Sequence, residues 1–157
     1  MASYFPALFA VSLCALFIAP LPAGQPGARV CYIGGTVGGL EGKTEGLVQT
    51  NRQEAMLFLT RRARFQIPYE RINLLEYGQQ ASRRFAMAIV ISPIFLLTKK
   101  RKHFLTVGYT DDSGQQQAMV FQVDKGEIRT VLACLEARTG LKVEYQDNEA
   151  RRAGKGG

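Results

Sequence analysis

Between Tyr77 and Thr110 the chain has no Asp or Glu, and this gap accounts for most of its charge. The net charge is +7, and Arg83, Arg84, Lys99, Lys100, Arg101 and Lys102 alone supply six of those positive charges. The rest of the chain holds fourteen basic and thirteen acidic residues and is nearly neutral. A positive patch this concentrated favours an anionic partner. The residues between its two halves are aliphatic rather than the aromatic platforms that stack on bases. An anionic membrane surface is therefore expected ahead of nucleic acid, which is not expected as a partner.

Chemistry-bearing residues are sparse as well. His103 is the only histidine, and there is no Cys-x-x-Cys pair, so no zinc site of ordinary type can be assembled and no metal or cofactor is expected. GGLEGKT (38–44) has Val37 where a phosphate-binding loop needs glycine, and the adjoining TEGLVQT (44–50) reads as strand rather than helix. Pairing His103 with Cys134 or with Ser113 gives no recognisable nucleophile and base context. Glu70, Glu76, Asp111 and Asp112 punctuate turns and strand edges without a paired catalytic geometry. No catalytic residue is assigned, and the expected activity is binding rather than catalysis.

Residues 1–24, MASYFPALFAVSLCALFIAPLPAG, form an uncharged apolar run that ends in small residues and proline. The run has the form of a secretory signal peptide with cleavage near Ala23 or Gly24, although it has no positively charged start, or of an N-terminal anchor if retained. Both forms place the domain outside the cytoplasm, in the periplasm or at the cell envelope. In that compartment Cys31 and Cys134 would be an even pair and a candidate disulfide, against the alternative of a buried reduced cysteine on a helix.

The glycine-rich stretch 25–43 is expected to be a linker, because glycine at this density is entropically costly to order without a specific reason. The domain is then expected over 44–146. Short strand-like runs succeed one another at Gly46–Thr50, Ala55–Thr60, Ala63–Pro68, Ile72–Tyr77, His103–Thr110 and Gln117–Val123. Turn signals separate them, including Asp111-Asp112-Ser113-Gly114, whose Asp side chains can bond local backbone and whose Gly tolerates positive φ. The period then changes: Ile128, Val131, Leu132 and Leu135 share one helical face. Asp124 with Glu127 matches a capping box, and Gly140 supplies the stop. LKVEY (141–145) reads as a closing strand, and 147–157 as a disordered tail without core-forming residues.

The hairpin AMLFLT-RR-ARFQ running into IPYERI, then HFLTVGYTDDSGQQQAMVFQV and the helix, resembles the pleckstrin-homology-like superfamily, in particular the bacterial PH-like and GRAM-like domains. The resemblance covers roughly residues 44–140. It implies a mainly β (α+β) fold, a small antiparallel barrel closed by one C-terminal amphipathic helix. Lipid-binding members share a basic motif around their first two strands. Here the corresponding turn holds only Arg52, beside Glu54, so specific phosphoinositide recognition is not implied.

Between Arg83-Arg84 and Lys99-Lys100-Arg101-Lys102 lie fourteen almost wholly apolar residues, 85–98, with Pro93 near the middle. As a helix the stretch would be about 21 Å long against a hydrocarbon core of about 30 Å, too short to span, and basic clusters at both ends place both on one side. Pro93 and the β-branched Ile89, Val90 and Ile91 favour two short arms forming an apolar hairpin. Three placements are open to it. Phe85, Ile91, Pro93, Ile94, Phe95 and Leu96 could enter a bilayer with the six cations at the head groups. They could complete the core. They could also meet a protein partner or a second copy.

Overall fold

The computed structural model describes residues 27–79, 90–91 and 103–155. Strands β1 (Ala28–Gly35), β2 (Thr44–Gln49), β3 (Ala55–Thr60) and β4 (Arg64–Pro68) run as an antiparallel meander. A 3-10 turn at Tyr69–Arg71 leads into β5 (Ile72–Gly78). Then come β6 (Val90–Ile91), β7 (Phe104–Thr110), β8 (Gln116–Val123), helix α1 (Ile128–Thr139), β9 (Glu144–Tyr145) and helix α2 (Asn148–Lys155). The hydrogen-bonded order is β4-β3-β2-β1-β8-β7-β5-β9, with β6 beside β1. The class is therefore mainly β, as expected. Among the described residues no pairing joins β4 to β9, so the sheet is not closed into a barrel by hydrogen bonds.

Period-two alternation divides the sheet into two faces. Val30, Tyr32, Val48, Phe58, Val107, Met119 and Phe121 turn inward, where the helical stripe Ile128, Val131, Leu132 and Leu135 meets them as its spacing predicts. Tyr32, Phe58 and Phe121 form the centre of this core, with Phe58 and Phe121 edge to face at 5.0 Å. The alternate residues Ile33, Ala118 and Val120 form a second cluster on the opposite face, 0–1% exposed, with Cys31 and Phe104 packed against it.

The domain does not begin at Thr44. The glycine-rich stretch expected as a linker contains β1, which lies at the middle of the sheet between β2 and β8. One of its glycines, Gly35, has a packing reason that composition hides. A Cβ at Gly35 would collide with the Ala118 carbonyl and press on the Tyr32 hydroxyl, so only glycine permits this approach of strands. Around Gly34 and Gly35, β1 is paired on both sides, to Val120 and Met119 of β8 and to Ile91 and Val90 of β6.

The expected disordered tail is also corrected, since 148–155 form α2. Its buried positions are Ala150 and Gly154, one turn apart. They hold the helix close to the sheet because they are small: a Cβ at Gly154 would lie 2.5 Å from Cε1 of Tyr145 and 3.0 Å from Leu132. The Asp147 carboxylate accepts the Ala150 amide at 2.7 Å and caps the helix.

The capping box is not formed. Glu127 is itself the residue before the first helical turn and makes no side-chain cap, because its carboxylate accepts the Arg29 amide of β1 at 2.6 Å. Gly140 does stop α1, in the left-handed conformation at φ 73°, with its N–H donating to the Glu136 carbonyl.

Candidate interaction surface

β5 and β7 are neighbours in the sheet, and Gly78 pairs directly with Phe104, so the segment containing 85–98 leaves and re-enters the fold at adjoining points. Rings and hydrogen bonds pin this base on several sides. Tyr77 stacks on His103 at 5.5 Å and meets Tyr145 edge on at 6.4 Å. The Gln146 amide donates to the Tyr77 carbonyl at 3.1 Å, and its side chain donates to Glu76 at 2.8 Å. Gln79 donates to the Glu149 carboxylate of α2 at 3.1 Å. Burial, with a smaller contribution from Tyr145, pushes the Tyr77 phenol up to about 12, so it stays neutral near physiological pH.

Of the residues singled out in the sequence, Ile91 is placed in β6, its backbone opposite Gly34. Arg83, Arg84, Phe85, Pro93, Ile94, Phe95, Leu96, Lys99, Lys100, Arg101 and Lys102 lie outside the described residues. Charge is partitioned along the same boundary. All thirteen acids are among the described residues, with fourteen of the twenty bases, which leaves that body at +1. Of the described helices, none is long and apolar enough to cross a membrane.

Cys31 and Cys134 are not joined. Cys31 packs with Ile33 and Val120 on the face away from α1, whereas Cys134 lines a 350 Å³ groove between α1 and the Ala28 and Val48 side of the sheet. The candidate disulfide is thus corrected, because the sheet itself stands between the two positions.

The turn from Asp111 to Gln115 is a fixed polar knot. One Asp111 carboxylate oxygen accepts the Ser113 and Gln115 amides and the Ser113 hydroxyl, and the other accepts the Gln117 side chain. These donors, led by the Ser113 side chain, hold the Asp111 carboxyl down at about 2. Arg71 pairs with Asp112, and Asn73 bonds Thr110 and Gln116. The knot is structural. Ser113 gives its hydroxyl proton to Asp111, and His103 is at the far end of β7, about 20 Å away by strand rise.

Arg61, Arg62 and Arg64 form a second, smaller basic group. All three are exposed on the β3 to β4 hairpin. Thr60 organises the turn: its hydroxyl oxygen accepts the Arg62 and Ala63 amides at 3.3 and 2.8 Å, and its amide donates to the Ala63 carbonyl.

No family model matches the chain, and no curated protein is significantly similar to it.

Proposed function

We propose that this protein is a non-catalytic binding module of PH-like fold, exported or held at the cell envelope, that associates with anionic membrane surfaces through the segment 83–102. The observation that carries this reading is the separation of charge. A body of net charge +1 presents, from one insertion between adjacent strands, six cations bracketing fourteen apolar residues. Each cation near an anionic surface contributes about 1 kcal/mol, and burial of a few large apolar side chains adds to that, so binding is appreciable and reversible. The PH-like assignment is supported by the antiparallel meander followed by a helix whose apolar face packs on the inner side of the sheet.

Liposome flotation tests the reading. The protein should float with vesicles containing anionic lipid and not with neutral ones, and raising the salt concentration should release it, since surface electrostatics are screened within about 10 Å at 0.1 M. Ile94→Ser with Phe95→Ser, and separately Lys99→Glu with Lys100→Glu, should each abolish flotation in a protein whose circular dichroism is unchanged. A folded protein that ignores anionic vesicles would refute membrane association and leave the core, a protein partner or a second copy as the place of 85–98, whereas flotation indifferent to salt would refute the electrostatic part of the reading.

A further inference from the structure

Among the described residues β4 is the last strand at one side of the hydrogen-bonded order and pairs only with β3. The parity of its free groups is set by the turn. Thr60 N–H donates to Ala63 O at 2.9 Å, so the hydrogen-bonded pairs of the ladder are Phe58 with Phe65 and Met56 with Ile67. The intervening Arg64 and Gln66 direct their backbone N–H and C=O groups away from β3, and both residues are exposed. Pro68 occupies the next outward position, where its missing N–H leaves nothing unpaired.

β4 itself carries Arg64 and no acid, while Glu41 and Glu45 line a pocket together with Arg61 and Arg62 at the hairpin turn. No acid occurs between Glu54 and Glu70, and the three exposed arginines 61, 62 and 64 fall in that interval. Among the described residues the ion pair is Arg71 with Asp112, so none of the three is neutralised in this way. On the inner face Phe65 is half-buried, stacked on Phe58 at 6.0 Å, with part of its ring still open at the rim of the core.

We propose that the free edge of β4 is a docking site for an acidic, extended peptide segment of another protein, which adds to the sheet as a further strand. Main-chain hydrogen bonds to Arg64 and Gln66 supply the pairing, and alternate side chains supply the choice of partner. Residues of the incoming strand on the outer face lie beside Arg64 and are acidic. One residue on the inner face is apolar and covers the open part of Phe65. A second copy is disfavoured as the occupant, because pairing two β4 edges would bring two sets of three arginines together, and like charges on neighbouring strands destabilise a sheet. The site uses none of residues 83–102, so its test is independent of the test of membrane association.

The test uses the full chain and a fluorescently labelled, capped hexapeptide of alternating Glu and Val, with the alternating Lys and Val peptide as control. Anisotropy should show saturable binding of the Glu peptide and none of the Lys peptide, with the Arg64 and Gln66 amides becoming protected in hydrogen exchange. Gln66→Pro removes one outward N–H at an exposed edge position and should weaken binding at least tenfold, as should Arg64→Glu. If Gln66→Pro does not fold, Arg64→Glu and the exchange data decide alone. No binding by the folded protein, binding that leaves the two amides unprotected, or protection of them by concentration-dependent self-association would each overturn the proposal.

Discussion

The Glu127 carboxylate accepts the backbone amide of Arg29 at 2.6 Å across 98 residues of sequence, which ties the start of α1 to β1. It also explains why the expected capping box is absent, since the acid meant for a local amide serves a distant one. Glu127→Ala should cost about 1.5 kcal/mol, the low end for a hydrogen bond to a charged group because this one is exposed, read as a shift in urea midpoint without a change in slope. Glu127→Gln should recover part of the loss, because the amide oxygen can still accept.

Gly154 sits where the side chains of Tyr145 and Leu132 leave no room for a Cβ. Gly154→Val should therefore lift α2 off the sheet while leaving the strands intact. Hydrogen exchange would show this as loss of protection confined to 148–155. Loss of protection in β7 and β8 at the same time would show that α2 is part of the same cooperative unit.

Val120 faces away from α1 yet is 0% exposed. Val120→Ala should behave as a core truncation, costing about 2 kcal/mol, rather than as a surface change of less than about 0.5 kcal/mol. Urea unfolding distinguishes the two, and a surface-sized effect would show that the second cluster contributes little to stability.

The Asp111 carboxyl titrates at about 2 in the folded protein, against about 3.9 in an unfolded chain. Between those values the unfolded state binds more protons, so stability falls as pH falls. The stabilisation from Asp111 is fully present above about pH 4 and lost on acidification through about pH 2. Asp111→Asn should lower stability at neutral pH and flatten the acid limb of the stability curve, measured by thermal unfolding between pH 2 and pH 6.

Much of this architecture is legible in the sequence because large apolar residues carry it. β3 and the run from Ile72 stand where alternation and turn residues place them, and the four residues of the α1 stripe are all buried. The elements that sequence reading misses are built from small residues. β1 contains Gly35, and α2 buries Ala150 and Gly154; at the two glycines a Cβ would meet neighbouring atoms. Hydrophobic patterning detects side chains that fill space, not those that vacate it. The free edge of β4 is hidden for a different reason: ARFQIP shows a strand, but only the sheet order shows that the strand is last. For the segment 83–102, the sequence supplies the charge pattern and the structure adds the pairing of Gly78 with Phe104 at its base and of β6 with β1.

That base has an architectural consequence. Because departure and return are neighbouring positions on one ladder, the frame imposes little on the length of the insertion it carries. Closing a flexible loop costs only about 0.6 kcal/mol more for each doubling of length. The paired ends of β5 and β7 therefore fix where the chain leaves and returns without fixing how many residues lie between them.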